Sequence, residues 1–173
     1  MEQIARTLGM TKGSLYYYFK NKEEILFFCH DYSLDILLEL LERIDQGAEA
    51  TDQKVHSLVV GFVHMLLDEL QGTELTHDIG ALSPRLFRKV TAKRDRFENG
   101  VRQLVQQGMD EGVFANGDAK LVSFAILGAM NWITRWYSPA GSASSQRIAE
   151  QFAGFLLAGL RQGDPPGSAQ TGS

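Results

Sequence analysis

Apolar positions recur at intervals of three and four along most of the chain, the period of helices that each bury one face. Ile4, Ala5 and Leu8 share a face of a short helix over 2–8, which Gly9 ends. Thr11 is placed to cap a second short helix running through Phe19. Asn21, with Glu24 three residues on, is close to a capping box. It opens a long helix to about Ile44, with Ile25, Phe28, Tyr32, Ile36, Leu40 and Leu41 at helical spacing. Thr51 or Asp52 starts the next, carrying Val55, Leu58, Val59, Phe62, Leu66 and Leu70. Residues 72–82 read as irregular or a short helix. Ser83-Pro84 is a cap followed by proline at the first helical position. That helix reaches Glu111 with Phe87, Val90, Phe97, Val101, Leu104 and Val105 inward, and Gly112 stops it. Asp118 opens another through Trp136 or Tyr137, and Ser144 caps a last one to about Arg161. No segment alternates as a strand does. The expected fold is all-α, and GDPPGSAQTGS at 163–173 reads as a disordered tail.

Two short helices joined by a glycine-containing turn, then a long helix, form the helix-turn-helix order. The second short helix must be held steady if it is to lie in a major groove. Ile4, Ala5, Leu8, Leu15 and Phe19 supply a small shared core, and Gly9 turns without a Cβ penalty. Left outward on the second helix are Thr11, Lys12, Gly13, Ser14, Tyr16, Tyr17 and Tyr18. Lysine, hydroxyls and a glycine that permits close backbone approach are groups that meet phosphates and base edges. Charge distribution points the same way. The whole chain has a net charge of −4, yet residues 1–22 carry +3, which leaves −7 for the rest. A basic end on an acidic body suits a protein that touches phosphates with one end.

The string IARTLGMTKGSLYYYFKNKEEIL, residues 4–26, resembles the TetR family of transcriptional regulators. The resemblance rests on a short recognition helix ending in a Tyr-Tyr-x-Phe pattern, here within Tyr16, Tyr17, Tyr18 and Phe19, then Lys22 at the next helix. It implies that Thr11, Lys12, Gly13 and Ser14 face the groove, with Lys12 toward a base. Tyr16, Tyr17, Tyr18 and Lys22 then stand where the family contacts phosphate. One of the three tyrosines is expected to turn inward, because consecutive residues point in different directions around a helix. The family has about one more helix ahead of the position of Met1, so the resemblance reads residues 1–28 as a helix-turn-helix domain without its first helix. Residues 29–162 become a ligand-binding and dimerisation domain.

The last two helices, about 118–137 and 145–161, are apolar on more than one side. Ala125, Gly128, Ala129, Trp132 and Trp136 form one stripe, and Ile126, Met130, Ile133 and Tyr137 another. Ile148, Phe152, Phe155 and Gly159 sit beside Ala149, Ala153, Leu156 and Leu160. Two apolar faces mean full burial or a partner, and the resemblance implies a homodimer through these helices. Such a dimer matches the two half-sites of a palindromic operator.

The segment GAMNWITRWYSPAG, with Asn131, Trp132, Arg135 and Trp136, resembles the TetR-like regulators that answer to acyl-CoA thioesters. A repressor released by a small apolar effector is the implied function, with no bound cofactor. An acyl tail wants a helix-lined apolar tunnel. Phe62, Met65, Leu66, Phe97, Val101, Phe124, Leu127 and Ile133 are candidates to line it. The phosphates want cations, and Arg85, Arg88, Lys89, Lys93, Arg94 and Arg96 fall within twelve positions. The basic run also reads as a solvated helix face, and the tryptophans also read as dimer packing.

Other classes find less support. Cys29 is the single cysteine, which excludes an internal disulfide. His56, His64 and His77 lack tight metal-ligand spacing. No nucleophile and base pair or phosphate-cradling glycine loop is recognisable, so no enzyme is expected. With no membrane-length apolar run, the cytoplasm is the default compartment. The alternative is a helical dimer that binds a ligand or partner without DNA-binding activity.

Overall fold

Each start signal in the second half of the sequence opens a helix where expected. The computed structural model describes residues 11–70 and 79–161, apart from the side chains of Lys12, Leu15 and Tyr16. The expected helix at 2–8, most of the expected irregular segment (through residue 78) and the expected tail at 163–173 lie outside these residues, as does His77. The fold is all-α. In chain order the helices are α1 (Lys12–Tyr18), α2 (Lys22–Gln46), α3 (Thr51–His64), α4 (Pro84–Asp110), α5 (Ala119–Trp136) and α6 (Ser145–Leu160). A π-helical turn, Met65–Glu69, prolongs α3, and a 3-10 turn, Ile79–Ala81, precedes α4.

The caps explain the boundaries. Asn21 Oδ1 accepts the Glu24 N–H at 2.9 Å, and Glu24 Oε2 accepts the Lys20 N–H at 2.8 Å. This is a capping box displaced by one residue. Asp118 Oδ1 accepts from the Lys120 and Leu121 amides, and Ser144 Oγ accepts from the Arg147 amide. The α3 start differs from the expected cap. Ala50 is its N-cap, and Thr51 is buried with its hydroxyl donating to Glu111. Gly112 takes φ 71°, a left-handed conformation that ends α4.

The core lies between α3, α4, α5 and α6. Val55, Val59, Val63, Val105, Phe114, Met130, Ile133, Ala149 and Ala153 are fully buried there. The α3–α6 seam is bordered by polar links. His56 Nε2 meets Glu150 at 3.0 Å, and His64 Nε2 meets Gln146 Oε1 at 2.9 Å. The α2–α4 seam is tight, because a Cβ on Gly100 would fall 2.1 Å from Leu41. Lys93 Nζ, on α4, bridges Asp31 at 2.6 Å and Asp35 at 2.7 Å on α2.

The buried face of α2 is not the predicted one. Ile25 is buried, but Phe28 and Tyr32 are exposed, and Ile36, Leu40 and Leu41 are half-buried. Leu26, His30, Ser33, Leu34 and Leu37 turn inward instead. The helix carries two apolar stripes, and packing against α4 selects the one interrupted by polar His30 and Ser33.

Candidate DNA interface and ligand cavity

Helix α1 begins at a hydroxyl pair. Thr11 Oγ1 accepts the Ser14 N–H at 3.1 Å and lies 2.9 Å from Ser14 Oγ. Thr11 and Gly13 are exposed, so this end presents hydroxyls and bare backbone to solvent. Tyr17 and Tyr18 are 85% and 68% exposed, with rings edge to face at 5.3 Å. Lys22 is also exposed. Phe19 is half-buried against Phe28, at a centroid distance of 5.3 Å. Thr11, Gly13, Ser14, Tyr17, Tyr18 and Lys22 therefore lie along one short stretch that reaches water. The side chains of Lys12 and Tyr16 lie outside the description.

A second feature opens between α2, the end of α3, α4 and α5. It is a cavity of about 600 Å³, partly open to solvent. Phe62, Met65, Leu66, Arg94, Phe97, Phe124, Leu127 and Asn131 line it, all of them expected from the sequence. The π-helical turn carries Met65 and Leu66 there, an insertion of a kind common at functional sites.

Four expected ligand residues fall elsewhere. Val101 is buried in the core, one turn beyond Phe97. Trp132, Arg135 and Trp136 do not line the cavity. Trp132 is 64% exposed, and Trp136 stacks on Phe152 of α6 at 6.2 Å. The reason is helical geometry, since adjacent residues are about 100° apart around the axis. Asn131 faces the cavity, so Trp132 faces away. Ile133, also a candidate lining residue, is buried in the core.

The sequence reading missed the α2 wall, formed by His30, Ser33, Leu34 and Leu37. It also missed Ile79, Phe87, Thr91, Asp95 and Glu98. The spacing of Phe87, Thr91, Arg94 and Glu98 by three or four is a usable signal, masked by the charge of its neighbours.

Electrostatics divide the basic run on α4. Lys93 is held by Asp31 and Asp35. Burial pushes its pKa down, but the two carboxylates together raise it above the ordinary value. Lys89 lies over the Phe27 ring at 5.8 Å. Arg88, Arg94 and Arg96 are exposed, and Arg94 has no ion pair or hydrogen bond among the described residues. The Glu23 carboxylate accepts the Ser83 N–H at 2.6 Å. Hydrogen bonds from Ser83 hold its pKa below the ordinary value, with Arg85 adding to the effect.

A third feature is the outer face of α5 and α6. Leu121, Trp132, Trp136 and Phe155 are all exposed large apolar side chains, Phe155 at 80%. Gly128, Gly154 and Gly159 have open space where a Cβ would stand. An exposed apolar patch of this kind is a candidate association surface. His56 and His64 are engaged in the α3–α6 links described above, and no three potential metal ligands cluster among the described residues. No helix among those residues is long and apolar enough to cross a membrane.

The chain is similar to several known proteins. The family described as "Bacterial regulatory proteins, tetR family" matches residues 1–27, and "Tetracyclin repressor-like, C-terminal domain" matches residues 48–160. The HTH-type transcriptional repressor KstR2 of Mycolicibacterium smegmatis is 26% identical over 167 residues, covering 94% of this chain and 80% of the relative. The structure of the TetR family transcriptional regulator PfmR from Thermus thermophilus superposes with a TM-score of 0.77 at 28% identity, covering 93% and 88% of the two chains. AibR, in complex with isovaleryl coenzyme A and operator DNA, shares the fold with a TM-score of 0.72 at 23% identity, covering 90% and 85%. With one family model matching its first 27 residues and the other most of its helical body, the chain belongs to the TetR family of transcriptional regulators.

Proposed function

We propose that this chain is a ligand-responsive repressor that binds a palindromic operator as a homodimer and is released by an acyl-CoA thioester. The observation that carries the ligand assignment is the cavity: about 600 Å³, lined by aromatic and aliphatic side chains, with Arg94, a cation without a partner among the described residues, on its wall. This volume suits a small organic group. An acyl group enters, and the phosphates stay outside, toward the exposed Arg88 and Arg94. The isovaleryl coenzyme A complex of AibR supports the ligand class. The KstR2 relatives support the repressor role.

The outer face of α5 and α6 serves the homodimer. Glycines with open space let two helix pairs approach closely, and Trp132 and Phe155 lose their exposure. The reading helices are then spaced for adjacent major grooves. Ligand must bind the two spacings unequally to change DNA affinity. The route runs through α4, which lines the cavity and is tied to α2 by Lys93 and Glu23. Helix α2 follows directly on the reading helix.

The test begins with duplexes selected from a random pool on the purified protein. Fluorescence anisotropy then follows DNA binding during titration with decanoyl-CoA. Release in the wild type and a weaker response in Arg94→Ala are expected. Failure to select any duplex at low salt would remove the repressor reading. Release that is identical in both proteins would remove the cavity assignment.

A further inference from the structure

The seam between α3 and α6 carries a chain of hydrogen bonds that closes only when one histidine holds both of its ring protons. The chain begins in the π-helical turn, where Asp68 Oδ2 lies 2.6 Å from His64 Nδ1. His64 Nε2 lies 2.9 Å from Gln146 Oε1 in the first turn of α6, and Gln146 Nε2 donates to Glu150 Oε1 at 2.9 Å. Glu150 Oε2 lies 3.0 Å from His56 Nε2. The carboxylates dictate where the protons stand. Glu150 only accepts, so Gln146 turns its NH2 group to Glu150 and its oxygen to His64. That oxygen needs an N–H on His64 Nε2, and Asp68 needs one on Nδ1. Burial pushes the Asp68 pKa up, but hydrogen bonds from His64 and Ser145, with the charge of His64, bring it below its ordinary value. Asp68 is therefore also an acceptor only near neutrality. His64 satisfies both neighbours only as the imidazolium, whereas His56, with its one contact, needs a single N–H.

Loss of either proton breaks the chain. With Nε2 bare, two lone pairs face each other, and Gln146 must withdraw or turn its oxygen against Glu150. With Nδ1 bare, the ring faces a carboxylate with nothing to donate. Every neutral arrangement forfeits at least one contact. Histidine is the side chain whose charge ordinarily changes between about pH 5 and 8. The groups that face His64 are Asp68 from the π-helical turn and Gln146 from α6, with Ser145 behind Asp68 and Glu150 and His56 behind Gln146. His64 makes no other polar contact among the described residues. The place of the chain gives it a consequence. Met65 and Leu66 follow His64 directly, share the π-helical turn with Asp68 and line the cavity.

We infer that His64 is a proton-operated latch: as the imidazolium it fastens the π-helical turn of the cavity wall to the first turn of α6, and on losing a proton it releases that turn. The latched form holds one proton more than the open form, so acid closes the latch and rising pH opens it. The latch is independent of which ligand fills the cavity.

Nuclear magnetic resonance of the whole ligand-free chain tests it, with histidine ring nitrogens and methionine methyl groups labelled and pH raised through the range in which histidine titrates. In the wild type, the Met65 methyl signal and the Gln146 side-chain amide should shift along the same curve as the His64 ring. Gln146 is exposed, so Gln146→Leu leaves the core intact while removing the partner of His64 on α6. That variant should lose most of the Met65 shift. His56→Gln, which keeps a donor toward Glu150, should retain it. A Met65 shift of full size in Gln146→Leu overturns the inference, because the charge on His64 alone would then account for it. So does a shift that vanishes in His56→Gln, which would assign the proton to the other histidine. A Met65 methyl or a Gln146 amide that stays fixed in the wild type while His64 titrates overturns it as well.

Discussion

The Glu23 carboxylate accepts the Ser83 backbone N–H at 2.6 Å, which joins the first turn of α2 to the N-cap of α4 across 60 residues of sequence. Helix α2 follows α1, and α4 lines the cavity. The contact also places a negative charge at the positive end of α4, where the helix dipole favours it. On the proposed function, a displacement of α4 by ligand would act on the base of α2. Glu23→Gln should fold and bind duplex but respond less steeply to decanoyl-CoA. The anisotropy titration checks this, and a release curve identical to wild type would remove Glu23 from the route.

The same contact predicts a pH dependence. Hydrogen bonds from Ser83 hold the Glu23 pKa below its ordinary value of 4.5. A depressed carboxylate contributes stability that is present above the unfolded value and lost as pH falls through the folded value. The gap in melting temperature between wild type and Glu23→Gln should thus be full near neutrality and close as pH falls below the ordinary value and through the lowered one. A gap that widens in acid would show the sign to be wrong.

Lys93 neutralises two carboxylates that stand four residues apart on α2. Without it, Asp31 and Asp35 repel one another along the helix. The groups are partly exposed, so solvent screening limits the effect. Lys93→Met should cost about 1 kcal/mol, read as a drop in melting temperature of roughly 2–4 °C. Adding Asp35→Asn should recover part of it. No loss on Lys93→Met would mean that the α2–α4 seam is held by packing alone, such as Leu41 against Gly100.

Local signals were legible because they act locally. Ser83-Pro84, Asp118 and Ser144 each mark a helix start through atoms within four residues, and each helix begins there. The all-α class and the α4 core face, from Val90 to Val105, followed from periodicity alone. What failed was the choice between two faces of one helix. Phe28 and Tyr32 make an apolar stripe on α2 as regular as the buried one, and only the position of α4 decides between them. The cavity suffered similarly. Its α3, α4 and α5 walls were partly anticipated, but His30 and Ser33 read as polar interruptions. Trp132 and Trp136 drew attention by composition, yet they face the solvent and α6. The π-helical turn at Met65 leaves no pattern in a sequence that remains helical throughout.

Exposed hydroxyls and Lys22 near α1 predict how DNA affinity depends on salt. A lysine on a phosphate releases about one counterion, so Lys22→Ala should weaken duplex binding similarly across sequences. It should also reduce the slope of log K against log salt by about 1. Tyr17→Phe, which removes an exposed hydroxyl and keeps the ring, should weaken binding and leave the slope unchanged. Lys12→Ala should instead relax sequence preference, which duplex competition measures. A Lys22 variant with wild-type slope would take that residue off the phosphate backbone.

The outer face of α5 and α6 offers a clean separation of folding from association. Gly128 and Gly159 have nothing within 4 Å of a built Cβ, so the protomer itself tolerates a side chain there. In a helix-to-helix dimer the same Cβ stands between two closely approaching backbones. Gly128→Leu should therefore leave helicity and the melting of the isolated protomer near wild type. Sedimentation should show it as a monomer at concentrations where wild type is a dimer. Phe155→Glu attacks the same face by charge, since burying an unpaired carboxylate is strongly unfavourable, and should give the same result. Trp132→Ala, which this structure places on the face and not in the cavity, should lower dimer affinity more than it alters acyl-CoA binding to the protomer. Dimers of full affinity in both Gly128→Leu and Phe155→Glu would move the interface elsewhere. The spacing of the reading helices would then have to be set by another surface.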